Sequence, residues 1–245
     1  MIRFEAASPK FIQKMILWMI SGITSRNKFL ARKLKVVGEL TNFQLWVQEN
    51  FPNSQLQYSR EKLWLKLVKS ISTQKRIIEL GVAWGYTTNW FLKIGFPQNN
   101  VGSKNSEKPG ITIDAFDLFT GLPRAWRNHP VNYFDNGGRP PIIEDERVTF
   151  HVGYVEEKIT ELDSELLKKE ELIILFDLDL FEPSLVSYQY LKPSLKIGDI
   201  LYFDEAFDVE ERSIIEHHVL KDFDVKSIGH TPLAICLEIY GIKQN

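Results

Sequence analysis

The chain has 245 residues, of which 44% are hydrophobic and 25% are charged, and its formal net charge is −2. This composition is typical of a globular protein with a sizeable core, and it excludes a chain built as a whole to bind polyanions. The charge is unevenly placed, since residues 1–75 carry thirteen Lys and Arg against four Asp and Glu, whereas residues 76–245 carry seventeen against twenty-eight. We interpret the basic segment as a helical surface that docks on an acidic partner domain or subunit, although such asymmetry also marks nucleic-acid or membrane surfaces.

Cys236 is the only cysteine, which excludes an internal disulfide and predicts a reducing, cytoplasmic setting. The apolar stretch from Phe11 to Ile20 is interrupted by polar residues and is too short to span a bilayer. We therefore expect an amphipathic helix there and no transmembrane segment. Aromatic residues such as Trp18 and Trp46 favour a homo-oligomer that forms through the N-terminal helices.

Apolar residues at three- and four-residue spacing predict helices in residues 8–72, and from Arg76 onward short apolar runs alternate with helical stretches. We expect strands at 76–80, 111–116, 148–152, 172–177, 198–203, 223–229 and 233–240, and helices at 85–94, 156–169, 184–194 and 209–220. The last two strands are joined by Gly229-His-Thr-Pro232, which is too short for a parallel crossover and predicts an antiparallel hairpin. The expected fold class is α/β, with a seven-stranded Rossmann-like sheet (residues 73–245) preceded by an N-terminal helical extension (residues 1–72).

A turn with two glycines follows the first predicted strand, as Gly81-Val-Ala-Trp-Gly85. Glycines let the backbone approach a ligand closely, and the free N–H groups of the helix that follows suit a carboxylate or phosphate. A dinucleotide site would carry G-x-G-x-x-G here, whereas this chain carries G-x-x-x-G. Taken alone, the turn is a weak indication of a cofactor site.

Acidic residues follow three predicted strands. Asp117, at the end of the second strand, has the geometry to accept hydrogen bonds from a ribose diol, whereas Asp114 in mid-strand is interpreted as structural. Asp177 and the pair Asp204-Glu205 follow two further strands, and in a parallel sheet these ends meet at one edge. Oxygen ligands favour Mg²⁺ or Ca²⁺, and the alternative is that these acids are independent helix caps.

Several segments together resemble the macrocin O-methyltransferase family, over roughly residues 76–207. They are Asp117-Leu-Phe-Thr-Gly-Leu-Pro123, Trp126-Arg127, Phe134-Asp-Asn-Gly-Gly-Arg139, Asp177-Leu-Asp-Leu-Phe181 and Phe203-Asp-Glu205. The resemblance implies a class I S-adenosylmethionine-dependent methyltransferase, acting on a hydroxyl of a sugar or other natural product, with Mg²⁺ at the acceptor.

The resemblance also assigns roles to residues of this chain. S-adenosylmethionine would contact Glu79, Gly81, Val82, Gly85, Thr87 and Asp117. The metal ligands would be Asp177, Asp204 and Glu205, although the family often has Asp where this chain has Glu205. Asp179 would support the metal or the acceptor, and the polar segment 123–141 would cover the site.

An alcohol needs activation before it accepts a methyl group. A bound divalent cation would lower the pKa of the hydroxyl, and positioning opposite the methyl group would supply much of the rest. A base is still required. We expect the catalytic residues to include Asp177 and Asp179, with His217 and His218, on the helix after Glu205, as possible bases.

Two other functions remain open at this point. The basic N-terminal residues favour a nucleic-acid methyltransferase, but Asp177-Leu-Asp-Leu180 differs from the Asp-Pro-Pro-Tyr that is typical of adenine N-methylases. We therefore expect a small hydroxylated acceptor and no nucleic acid. The third reading is a non-catalytic binding protein on the same fold, because a fold alone does not establish activity.

Overall fold

The computed structural model describes residue 14 and residues 16–22, 27–97 and 110–244. The chain divides into two compact units, residues 1–42 and 43–245. Residues 16–22 of the first unit are helical. Helix α1 (Lys28–Asn50) begins in the first unit and ends in the second, where its residues Phe43 and Val47 are buried. The start of the expected amphipathic helix lies outside the described residues. No helix within the described ranges is long and apolar enough to cross a membrane. The predicted domain boundary after residue 72 stays a prediction.

The second unit contains a seven-stranded sheet with the strand order β3-β2-β1-β4-β5-β7-β6. The strands are β1 (Lys75–Leu80), β2 (Ile111–Asp117), β3 (Val148–Val152), β4 (Glu171–Phe176), β5 (Ile200–Phe203), β6 (Phe223–His230) and β7 (Ile235–Ile242). Strands β1 to β5 pair in parallel, whereas β7 pairs antiparallel with both β5 and β6. The predicted fold class is thereby confirmed, including the C-terminal hairpin.

The helices are more broken than the sequence predicts. They are α2 (Arg60–Ser70), α3 (Tyr86–Trp90), α4 (Val155–Lys158), α5 (Ser164–Leu167), α6 (Phe181–Leu191), α7 (Val209–Ile214) and α8 (Leu220–Asp222). The expected helix at 156–169 is interrupted because the Asp163 side chain accepts hydrogen bonds from the backbone of Glu165 (2.9 Å) and Leu166 (3.3 Å) and caps a new helix. Helices α3 and α7 each continue into a π-helical turn, at Phe91–Gly95 and Ile215–Val219.

Helix α2 packs into the same core as the sheet. Its apolar face buries Leu63, Trp64 and Leu67, each fully inaccessible to solvent. Ser59 caps its first turn by accepting a hydrogen bond from the backbone of Lys62 (3.4 Å). The cap fixes where the helix begins, and Arg60 is therefore its first residue.

Residues 118–147 contain no helix or strand of the described set, as the sequence predicts for this segment. Backbone hydrogen bonds fold the segment on itself, from Leu122 to the Tyr133 oxygen (2.9 Å) and from Asn132 to the Leu122 oxygen (2.9 Å). A further bond, from Gly138 to the Phe119 oxygen (2.9 Å), returns the segment to its start. It therefore forms a compact loop at the end of β2.

Candidate functional site

The carboxyl edge of the sheet brings three chain segments together. Beyond the strands, the backbone pairing continues by one residue: Gly81 N–H donates to the Phe116 oxygen (2.9 Å), Asp177 N–H to Leu80 (2.9 Å), and Asp204 N–H to Phe176 (3.0 Å). The glycine turn and the two acidic segments therefore stand side by side, as expected for the ends of parallel strands.

The turn after β1 depends on both of its glycines. Gly81 has φ +91° and Gly85 has φ +76°, values at which a side chain is strained. A Cβ on Gly81 would overlap the main-chain carbonyl of Asp177, and one on Gly85 would lie 2.7 Å from Cγ of Pro141. The glycines are thus needed for close packing between protein segments as well as for the turn itself.

Asp117 holds this turn in place. Its Oδ2 accepts hydrogen bonds from the backbone N–H groups of Val82 and Ala83 (both 2.8 Å), and its Oδ1 accepts one from Phe119 (2.6 Å). A carboxylate has about four lone-pair positions, so these three bonds leave room for one more donor. Asp117 can therefore accept a hydrogen bond from one ribose hydroxyl, whereas the sequence predicts bonds from both. The backbone N–H groups of Val82 and Ala83, which were expected to be free for a ligand, bind this carboxylate instead.

Glu79 is buried beneath the turn, with 1% of its surface exposed. Its Oε2 accepts a hydrogen bond from the Thr88 hydroxyl (2.7 Å), whereas its Oε1 has no hydrogen-bond partner among the described residues. Burial raises the pKa of Glu79 to about 8. The bond to Thr88 joins β1 to helix α3, so Glu79 has a structural role here. Its side chain does not line the cavity that opens at this edge of the sheet.

The raised pKa of Glu79 predicts a pH-dependent contribution to stability. Since the pKa in the folded protein is about 8 against an ordinary 4.5, the contribution is complete below pH 4.5 and is lost as the pH rises through 8. Between those values the free energy of unfolding should fall with a slope of up to about 1.4 kcal/mol per pH unit, and Glu79→Gln should remove that slope. Urea unfolding of both proteins across this range measures the difference; parallel curves would show that Glu79 is ionised in the folded protein.

A cavity of about 600 Å³, called the cleft below, opens at the carboxyl edge. Its size falls in the range of small-molecule and cofactor sites. The start of α2, the turn after β1, the loop 118–147, the residues after β3 and the acidic segments after β4 and β5 all contribute to its walls. Two residues in these walls, Ala83 (φ +47°) and Asp179 (φ +61°), have strained backbone conformations, which often accompany functional sites.

Carboxyl groups crowd one end of the cleft. Burial raises the pKa of Asp179 to about 7 and that of Glu205 to about 9, and in both residues the charge of Asp204 adds to the effect. Burial also raises the pKa of Asp177 well above its usual range, with Asp204 and Asp179 as the next causes. Behind them, Glu211 is fully buried and its Oε2 accepts a hydrogen bond from the backbone of Glu205 (3.0 Å).

These carboxylates are not arranged as a metal site. Within the described part of the chain, no group of three or more His, Cys, Asp or Glu side chains is placed to hold a metal ion. Both oxygens of Asp204 have protein partners, since Oδ2 accepts from Arg60 Nη1 (3.1 Å) and Oδ1 from the Tyr202 hydroxyl. The expected ligand set of Asp177, Asp204 and Glu205 therefore shares one end of the cleft but does not fit Mg²⁺ as arranged.

Aromatic residues also line the cleft. The Trp84 ring contacts Phe134 edge to face, with centroids 5.6 Å apart, and the Trp126 ring stacks on His129 at 5.6 Å. Trp126 is 6% exposed, and its indole Nε1 has no hydrogen-bond partner among the described residues. A buried N–H without a partner is costly, so this donor is a position at which a hydrogen-bond acceptor would be stabilising.

The structure places the predicted site residues in two groups. Those that line the cleft are Gly81, Val82, Thr87, Asp117, Asp177, Asp179, Asp204 and Glu205. Glu79, Gly85, His217 and His218 do not line it. The two histidines lie on the π-helical turn after α7, where His217 is exposed and His218 lies 6.0 Å from the Tyr188 ring between centroids. The structure thus offers neither histidine as a base in the cleft.

Arg60 and His129 are among the cleft residues that the sequence did not indicate. Arg60 lies in the N-terminal helices, which contribute little to the family resemblance, and its contact with Asp204 spans 144 residues of sequence. His129 lies in the loop, where no periodicity indicates which side chains point inward. The spacing Trp126-x-x-His129 beside the resembling segments was the available signal for the second residue.

Asp114 is a structural residue, as expected, and His151 pairs with it. Asp114 accepts hydrogen bonds from Arg76 Nη1 (2.5 Å) and shares a contact of 2.9 Å with His151 Nε2. The His151 ring stacks on Phe116 with centroids 4.2 Å apart. Both residues therefore belong to the packing of the sheet, away from the cleft.

Comparison with known proteins gives structural matches only. No family model and no curated protein sequence matches the chain. Among solved structures, the calicheamicin methyltransferase CalS11 is similar with a TM-score of 0.50 and 17% identity, covering 96% of this chain and 95% of CalS11. The O-methyltransferase NovP is similar with a TM-score of 0.51 and 12% identity, covering 74% of this chain and 79% of NovP. With the strand order described above, these likenesses show that the chain has the Rossmann-like fold of class I methyltransferases.

Proposed function

We propose that this protein is an S-adenosylmethionine-dependent methyltransferase that methylates a hydroxyl of a small metabolite, in the class of sugars and natural products. The observation that carries the proposal is the cleft, which the glycine turn after β1 lines together with the carboxyl groups after β4 and β5. One end is suited to a nucleoside cofactor and the other to a proton-transfer reaction.

The donor end comprises the turn after β1 and the end of β2. Gly81, Val82 and Thr87 line it, and Asp117 both orders the turn and keeps one acceptor position for a ribose hydroxyl. The residues after β3, Gly153 to Val155, extend this wall and provide surface for a base ring. These features support S-adenosylmethionine, which would supply an electrophilic methyl group when bound.

The acceptor end combines aromatic rings with hydrogen-bonding groups. Trp84 lies in the turn after β1, but its ring contacts Phe134 of the loop and is 59% exposed, so it is available for stacking against a ligand. The unpartnered Nε1 of Trp126 would donate a hydrogen bond to an acceptor oxygen, and His129 lies beside it. Sugars and phenols present both a flat apolar face and hydroxyl oxygens, which is why we favour them. CalS11 and NovP, named as a calicheamicin methyltransferase and an O-methyltransferase, agree with this class of acceptor.

Proton transfer would be the task of the buried carboxylates. During transfer, the acceptor oxygen bonds to the methyl carbon, the carbon–sulfur bond breaks with its electron pair passing to sulfur, and the hydroxyl proton passes to a carboxylate. We assign that role to Asp177 or Asp179, because both line the cleft. The aromatic residues of the cleft would hold the acceptor hydroxyl opposite the methyl group, and positioning of this kind supplies much of the rate enhancement. No step is assigned to Mg²⁺.

A nucleic-acid acceptor is disfavoured by the cleft itself. Its acceptor end carries four acidic side chains, Asp177, Asp179, Asp204 and Glu205, against two arginines in the whole lining, which is not the basic surface that binds phosphates. A homo-oligomer formed through the N-terminal helices and a cytoplasmic location both stay predictions.

The proposal is tested by a methyl-transfer screen. The protein is incubated with S-adenosylmethionine carrying a labelled methyl group and with panels of hydroxylated sugars and phenols, each with and without EDTA. We expect transfer to at least one member and an O-methyl signal in the product by NMR. Transfer only to nitrogen, or only to RNA, would contradict the proposed acceptor class.

A further inference from the structure

Arg60 pairs with Asp204 in the group of carboxyl side chains after β4 and β5, namely Asp177, Asp179, Asp204 and Glu205, which is called the acidic cluster below. As the first residue of α2, it reaches the cleft and donates a hydrogen bond from Nη1 to Asp204 Oδ2 at 3.1 Å. The side chain of Asp204 is only 9% exposed, whereas that of Arg60 is 41% exposed. The guanidinium thus joins a buried carboxylate to the open space of the cleft.

Aromatic rings hold the guanidinium in this position. Its Cζ lies 5.5 Å from the centroid of Trp64 and 5.3 Å from that of Tyr86, distances at which a cation is attracted to the ring face. Trp64 is fully buried, and the Tyr86 hydroxyl donates to Glu61 Oε1 (2.8 Å), so both rings are themselves fixed. Arg60 is therefore a positioned group and not a freely moving surface side chain.

Tyr202 closes the other side of Asp204. It is 1% exposed, and its hydroxyl donates to Asp204 Oδ1, while Arg60 occupies Oδ2. A metal ion bound by Asp204 would have to displace one of these partners, and it would then lie beside a fixed positive charge. Like charges a few ångström apart repel, so the arrangement works against a divalent cation.

We propose that the Arg60 guanidinium takes the cation position of this acidic cluster, so that the protein works without a divalent metal and presents a fixed N–H donor to the acceptor. An arginine has five N–H donors and stays charged at all relevant pH values. The bond to Asp204 is its one hydrogen bond to a described residue, which leaves donors for an acceptor oxygen as that oxygen loses its proton. The contact with the acceptor rests on the proposed function, whereas the exclusion of metal does not.

Binding of Mn²⁺ alone tests the exclusion of metal without any assay of activity. Electron paramagnetic resonance of free Mn²⁺ is measured with the wild-type chain, Arg60→Ala and Arg60→Lys. We expect no saturable binding of Mn²⁺ to the wild type or to Arg60→Lys at millimolar concentrations. Arg60→Ala should bind Mn²⁺ with an affinity at least tenfold above the limit set by the wild type, because its acidic cluster has lost its positive partner. If Arg60→Ala binds no more Mn²⁺ than the wild type, the inference is overturned.

Arg124→Ala is the matched control. Arg124 also lines the cleft and pairs with carboxylates, Glu182 (2.9 Å) and Glu210 (2.8 Å), but it does not contact Asp204. We expect this variant to bind no more Mn²⁺ than the wild type. A gain as large as that of Arg60→Ala would mean that any loss of positive charge suffices, which contradicts a specific role for Arg60. Circular dichroism of each variant verifies that it is folded.

The effect of EDTA on turnover is the second readout. With an acceptor from the methyl-transfer panel, the wild type is expected to keep its full rate in EDTA, and a loss of more than tenfold would overturn the inference. If no acceptor is methylated, the proposed function is in question, while the Mn²⁺ measurement still decides the position of Arg60.

Discussion

Replacing Gly81 by alanine is expected to abolish binding of S-adenosylmethionine and to lower the free energy of unfolding by about 3 kcal/mol or more. The backbone at Gly81 has φ +91°, and an added Cβ would overlap the Asp177 carbonyl at the carboxyl edge. That carbonyl belongs to the β4 segment, so relief of the clash must separate β1 from β4 at the point where the cleft begins. Chemical denaturation and calorimetry of the variant measure both effects.

Gly137→Ala is the control for backbone strain without a clash. Gly137 also has a positive φ, +69°, but a Cβ there would meet no heavy atom within 4 Å, and the residue does not line the cleft. We expect a loss of about 1 kcal/mol from the backbone conformation and no change in cofactor binding. Equal effects at the two glycines would show that the turn after β1 has no special role.

Asp177→Asn is expected to change stability and turnover in opposite directions. Burial and the charges of Asp204 and Asp179 raise the pKa of Asp177, so the ionised form of this residue is disfavoured in the folded protein. A neutral amide should raise the free energy of unfolding by about 1–3 kcal/mol, because functional carboxylates are often kept at the expense of stability. Without the carboxylate as proton acceptor, kcat should fall by at least about 100-fold.

Asp199→Asn separates this result from a general effect of removing a buried acid. Burial raises the pKa of Asp199 to about 6, but its carboxylate accepts backbone hydrogen bonds from Leu172 (2.8 Å) and Lys196 (2.9 Å) before β5 begins, at the opposite edge of the sheet. An amide cannot accept both in the same way, so we expect a loss of about 1–3 kcal/mol with unchanged kcat. If Asp177→Asn also loses stability and keeps kcat, Asp177 is a structural residue.

The sheet was predictable because its signals are local and strong. Apolar runs such as Leu172 to Phe176 mark strands that are buried on both faces, and the four-residue connection before Leu233 permits only a hairpin. Interruptions in the helices were harder to predict, because the Asp163 cap and the two π-helical turns arise from competition between similar backbone hydrogen bonds.

The site was predictable only in part, for a different reason. Gly81, Asp117 and Asp177 sit at strand ends, and parallel topology alone brings them to one edge. What each carboxylate binds depends on side chains from distant segments. Tyr202, two residues before Asp204, occupies one of its oxygens, but Arg60 reaches the other only when α2 packs on the sheet. No spacing in the sequence indicates that a guanidinium stands where the family resemblance implies a metal.

Calorimetric titration of the folded protein with S-adenosylmethionine shows whether the cleft binds this cofactor. We predict one saturable site per chain with micromolar affinity, weakened at least about tenfold in Asp117→Ala because the turn after β1 loses the bonds that order it. The measurement needs neither an acceptor nor a metal. Absence of binding in protein that circular dichroism shows to be folded would contradict the account, and it would leave the chain as a binding protein on a methyltransferase fold.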